Sequence, residues 1–140
     1  MRYLITVKAT PDTEAGVFPP EGVKQRLFAD MARFHEELHK AGALLDASSL
    51  KPSSAGWRIQ YSGAQRVVPG GPFAETKELI AGYTLIQAKT REEALEWSRR
   101  FPNPAGEGST AQIEVRELYE PDDLRPVAET ADRFRRMGMK

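Results

Sequence analysis

The chain has 140 residues, 40% hydrophobic and 29% charged, which is enough apolar material for one core and one domain. Its 20 Lys and Arg residues balance 20 Asp and Glu residues, so no whole-chain field draws it to nucleic acid or to an anionic membrane. The absence of cysteine excludes disulfides, thiolate catalysis, Cys-ligated zinc and iron–sulfur clusters.

The first residues, Met1 to Lys8, hold too short an apolar run for a signal peptide, and no stretch reaches bilayer length. The expectation is a soluble, cytoplasmic protein. Residues 2–9 read as a strand with Tyr3, Ile5 and Val7 on one face. Pro11, Gly16, Pro19 and Pro20 then predict a loop over 10–20. The clearest helix spans 21–41, where Val23, Leu27, Met31, Phe34, Leu38 and Ala41 form an apolar stripe and Gly42 supplies the stop.

Residues 43–50 read as extended, and Lys51 to Gly56 as a turn-rich break. Trp57 to Tyr61 and Gln65 to Val68 form the arms of a hairpin, followed by a tight Pro69-Gly70-Gly71-Pro72 turn. Residues 79–88 are apolar on both faces, which predicts a central strand. Thr90 and Glu93 form a capping box for a second helix through Ala94, Leu95, Trp97 and Phe101, which Pro102 and Pro104 stop. Ala111, Ile113 and Val115 mark a last strand. In the charged tail, Val127, Ala131, Phe134 and Met137 have helical spacing.

This order predicts an α+β, ferredoxin-like β-α-β-β-α-β domain with an inserted hairpin over 1–119, and a helical tail over 120–140. One sheet face carries the two helices. The other needs a cover, and a second copy of the chain provides it, giving a homodimer of dimeric α/β-barrel type.

The run Gly71-Pro72-Phe73-Ala74-Glu75-Thr76-Lys77-Glu78 resembles the signature of the YCII-related, DGPF-type proteins. The likeness continues in Leu79 to Tyr83, Glu92 to Trp97 and Ile113 to Arg116, and upstream in Ala41-Gly42 and Lys51 to Ser54. It implies a dimeric ferredoxin-like fold and, from related proteins, an Asp–His type arrangement for chemistry. It also implies, for some members, an association with alternative sigma factors. The acid that opens the family motif falls on position 70, which is Gly70 here.

Two constellations bear on chemistry. His35-Glu36-Glu37-Leu38-His39 matches H-E-x-x-H, the helical zinc motif, but Leu45 stands where a third histidine would complete its longer form. No Glu lies between Glu37 and Glu75 to serve as a downstream ligand. No metal and no cofactor is expected, and His35 is left as the candidate imidazole acid/base. The Gly71 to Glu78 run reads as a turn in which Phe73 plugs the core and polar residues border a pocket mouth, where backbone amides can receive an anion. The candidate catalytic residues are therefore His35, Glu75 and Glu78. The candidate ligand contacts are Gly71, Thr76, Lys77 and Tyr83.

Lys8, Arg58, Arg66 and Arg116 read as cations along an exposed sheet edge, the alternative being a small-anion cleft. Trp57, Tyr61, Tyr83 and Trp97 read as core or dimer contacts. The functional expectation is a small-molecule pocket protein with an unassigned acid/base activity. The alternative is a non-catalytic interaction or regulatory module, motivated by Gly70 and by the charged tail.

Overall fold

The computed structural model describes residues 1–74, 78–123 and 128–138. Among these, β1 (Arg2–Lys8) is followed by a short α1 (Pro11–Glu14) and a long α2 (Glu21–Lys40). β2 (Leu44–Ser49), a 3₁₀ turn (Ser53–Ala55) and the hairpin β3 (Gln60–Ser62) and β4 (Gln65–Val67) come next. β5 (Ile80–Gln87), α3 (Arg91–Arg99), β6 (Ile113–Glu117) and α4 (Ala128–Arg136) complete the order.

The main sheet has four strands in the order β2-β5-β1-β6, every neighbouring pair antiparallel. β5 is thus central, as its two apolar faces predict. β1 is central too, so Lys8 lies on an inner strand and not at an edge.

Register sorts the side chains by face, because directly opposed residues share one. Tyr3, Ile5, Thr84, Ile86 and Val115 fall on the helix-covered face, where the core gathers Phe34 and Leu38 of α2 and Ala94 of α3. Ile5, Leu38 and Ile86 are completely buried, each contributing about 1.5–3 kcal/mol of hydrophobic stabilisation. Leu4, Thr6, Tyr83, Leu85, Glu114 and Arg116 fall on the opposite face.

Helix α2 ends as its sequence requires. Gly42 takes φ +71, its amide donates to the His39 carbonyl, and the Ala43 amide donates to that of Leu38. This is the Schellman pattern, and the left-handed residue it needs is cheapest as glycine. Burial along α2 fades toward its start, where Val23 is 45% exposed. At the start of α3 the Thr90 hydroxyl accepts from the Glu93 amide. The Glu93 carboxylate, however, accepts from the Lys89 amide and not from that of Thr90, so the box is shifted by one residue.

The loop expected over 10–20 is interrupted by α1. The Thr10 side chain accepts from the Thr13 amide, the Thr13 hydroxyl accepts from the Thr10 amide, and Pro11 fits the first turn, where no amide is needed. The aromatic expectation divides. Trp97 packs on the core, whereas Trp57 and Tyr61 stand 68% and 67% exposed on the hairpin and form no part of it.

Candidate functional site

The glycine-rich turn is tied to two distant segments. The Arg58 amide donates to the Pro69 carbonyl and the Gly71 amide to the Gly56 carbonyl, so the turn continues the hairpin ladder. Gly71 then presses against the 3₁₀ turn: a Cβ there would lie 1.8 Å from the Ser53 carbonyl oxygen. Only glycine permits that approach. At Gly70 a Cβ would meet nothing within 4 Å.

Ser53 is the pivot. Its hydroxyl accepts from the Phe73 amide at 2.9 Å and donates to Glu14 Oε2. Its own amide donates to Glu14 Oε1 at 2.9 Å. Glu14 and Ser53 are both half-buried, and hydrogen bonds to a carboxylate are roughly twice as strong as neutral ones. The Phe73 ring is half-buried beneath the Arg58 guanidinium, 3.9 Å from the ring centroid.

Helix α1 borders a cavity on another side. A space of about 300 Å³ is lined by Val7, Thr10, Asp12, Thr13, Val23 and Ala111, among others. α1 thus contributes a wall to this cavity and, through Glu14, an anchor to the turn. A larger, open groove of about 520 Å³ runs between the first half of α2 and the 102–107 loop, beside the Arg26–Glu107 ion pair.

His35 lies on the helix-covered face of the sheet. Nδ1 is 2.7 Å from the Met31 carbonyl oxygen and Nε2 is 2.9 Å from Thr84 Oγ1. A carbonyl only accepts, so Nδ1 carries the proton. In the neutral ring Nε2 then accepts the Thr84 hydroxyl hydrogen. Thr84 is 2% exposed, and the imidazole meets the rings of Phe34 and Phe101 edge-on. His39, one turn on, is exposed. Among the described residues no group of three or more His, Asp or Glu is placed to hold a metal ion.

The matching family is the YCII-related domain, whose model fits residues 1–119. The chain belongs to the YCII-related domain family. It is 34% identical over 102 residues to an uncharacterised protein of Rhizobium meliloti (strain 1021), covering 71% of this chain and 81% of that one. Among solved structures it is similar to the 5-chloro-2-hydroxyhydroquinone dehydrochlorinase TftG from Burkholderia phenoliruptrix AC1100, in complex with 2,5-dihydroxybenzoquinone. That match has a TM-score of 0.43 and 13% identity, and covers 86% of this chain and 95% of the other.

Within this YCII-related chain the expected site residues fall in different places. Gly71 sits at the Ser53 junction. Glu78 is exposed, just before β5. Tyr83 is on the sheet face away from the helices, where its hydroxyl donates to Asp46 Oδ2 at 2.8 Å. Its neighbour Thr84, which holds His35, points to the other face. Glu75, Thr76 and Lys77 lie outside the described residues. Glu14, Ser53 and Thr84 were not anticipated as members of any site. Glu14 and Ser53 carry no local signal, being 39 residues apart in the chain. Thr84 had one: a hydroxyl on the helix-facing side of a largely apolar strand needs a partner when buried.

Proposed function

We propose that this YCII-related protein is a dimeric small-molecule-binding protein, with its site between the Gly70–Phe73 turn and the cavity beside α1. The observation that carries this reading is the Ser53 junction. Three segments far apart in sequence are drawn together at one hydroxyl, and α1, which supplies Glu14 to it, also lines a cavity of small-metabolite size through Asp12 and Thr13. A connecting turn alone does not require that investment, whereas a ligand loop on a rigid scaffold does.

In this reading Glu78, with Glu75, Thr76 and Lys77, supplies the polar mouth. The acid/base part assigns His35 together with Glu75 or Glu78. The nitrogen that would work is Nε2, for which a ligand hydroxyl competes with Thr84. The chain takes up a ferredoxin-like topology, which the antiparallel order β2-β5-β1-β6 supports. A second copy covers the helix-free face, where Leu4 and Leu85 oppose each other half-buried. The 120–140 segment is a separate tail. No described helix is long and apolar enough to cross a membrane.

The test is a thermal-shift screen of the purified protein against metabolites, followed by amide mapping. A binding metabolite raises the melting temperature by several degrees and moves the amides of residues 8–14 and 70–74. If neither the native protein nor Gly70→Asp responds to any metabolite, the pocket reading fails. The second reading then stands, a non-catalytic interaction module. The observation in its favour is α4, which lies beyond the family match and closes on Arg133, Arg135 and Arg136. Partner capture with and without residues 121–140 tests it.

A further inference from the structure

We infer that Glu14 and Ser53 are the positioning residues of the glycine-rich turn, acting as a relay in which the carboxylate orients the serine hydroxyl and the hydroxyl fixes the Phe73 amide. The inference rests on the reading that this turn borders the binding site. It assigns the control of the turn to residues outside the Gly71 to Glu78 run, one on α1 and one in the 3₁₀ turn.

The geometry leaves the Ser53 hydroxyl one productive orientation. Glu14 is an acceptor and the Phe73 amide is a donor, so the hydroxyl hydrogen must point to Glu14 and a lone pair to Phe73. A hydroxyl that donates to a carboxylate is polarised and accepts more strongly, so the two bonds reinforce each other. The Ser53 amide adds a second bond to the same carboxylate and fixes its rotation. The Glu14 end is fixed in turn by the Thr10–Thr13 cap of α1.

Phe73 is the residue from which the chain continues into Ala74-Glu75-Thr76-Lys77-Glu78. Before it, Arg58–Pro69 and Gly56–Gly71 backbone bonds hold the turn to the hairpin. The Ser53 hydroxyl is the bond to its last residue, and it comes from a different part of the chain. Removing that hydroxyl strands two groups at once, the Phe73 amide and one Glu14 oxygen. The charged groups of these segments, besides Glu14, are Asp12 on α1, Lys51 ahead of the 3₁₀ turn and Arg58 over the Phe73 ring. None replaces the hydroxyl as an acceptor for the Phe73 amide.

Amide hydrogen exchange on the full chain tests the relay without any ligand. In Ser53→Ala the Phe73 amide exchanges about tenfold faster or more, while the amides of Ile5 and Ile86 in the core keep their native rates. Ser53→Thr, which keeps a hydroxyl, retains the protection. Glu14→Gln, which keeps the shape but removes the charge, gives an intermediate rate and serves if Ser53→Ala does not fold. Unchanged exchange at Phe73 in Ser53→Ala overturns the relay. So does an equal acceleration at Phe73, Ile5 and Ile86, which reports lost global stability and not positioning. The metabolite screen decides the pocket reading separately, so each can fail alone.

Discussion

The half-buried imidazole of His35 and the buried hydroxyl of Thr84 form a pair across the helix–sheet interface, with Nε2 and Oγ1 2.9 Å apart. The pair accounts for two residues that look out of place in their elements: a histidine beside an apolar stripe and a threonine in an apolar strand. Thr84→Val keeps the shape and removes the hydroxyl. It is expected to cost about 1–3 kcal/mol of stability in urea unfolding, as for other broken buried hydrogen bonds. A cycle with His35→Leu should show a coupling of about 1 kcal/mol between the two sites. Strict additivity would mean that the ring and the hydroxyl are independent.

The two glycines of the motif turn should respond in opposite ways. Gly71→Ala drives a methyl into the Ser53 carbonyl, which lies 1.8 Å from the Cβ position, and the backbone on one side must move. A loss of about 2–4 kcal/mol is expected, in the range of severe steric changes. At Gly70 an added Cβ meets nothing within 4 Å, and Gly70→Asp should leave stability within about 0.5 kcal/mol of native. Restoring the acid that opens the family motif is thus expected to leave the fold intact. The melting temperatures of the two variants, measured side by side, check both statements.

The second-copy reading of the helix-free face is decided by mass. Leu4 and Leu85 are directly opposed at its centre, flanked by the Lys8–Glu114 pair at 3.6 Å. Leu85→Glu places a carboxylate on the apolar part of that surface and should convert a dimer to single chains in light scattering. A native mass equal to one chain would remove the reading altogether.

Tyr3 links stability to alkaline pH. Burial raises its phenol pKa, and the charge and hydrogen bond of Glu117, 3.4 Å from the hydroxyl, raise it further. The native state thus holds the phenol proton more tightly than the unfolded chain does. The stabilisation is fully present below the unfolded phenol pKa, near 10, and is lost as pH rises through the folded one. Tyr3→Phe should flatten the decline of stability above about pH 10 relative to the native protein. Parallel declines would show that Tyr3 is not responsible.

The parts of the fold that were legible in sequence are those written in short-range pattern. The α2 stripe ends at Gly42 because both a 3.6-residue period and a left-handed stop are local signals. β5 is central because its two apolar faces state their own burial. Helix α1 escaped because its cap is Thr10 with Thr13, without the acidic partner of the usual box, amid prolines and glycines that argue for a loop. The candidate site was legible only in part. Gly71 stood out within the motif, but the carboxylate and hydroxyl that hold its turn come from α1 and the 3₁₀ turn. Nothing in the spacing of Glu14, Ser53 and Phe73 announces their meeting, because tertiary folding alone brings them together.

The sheet order also constrains how the chain is made. β1 is the first strand of this sheet to leave the ribosome, yet both its neighbours come later: β5 begins at Ile80 and β6 at Ile113. A nascent chain halted before Ile80 has no partner for either edge of β1, and one halted before Ile113 has a partner for only one. β1 therefore waits for both its strand partners until Ile80 and beyond, and closure of the sheet is a long-range event that sets a slow pace for folding.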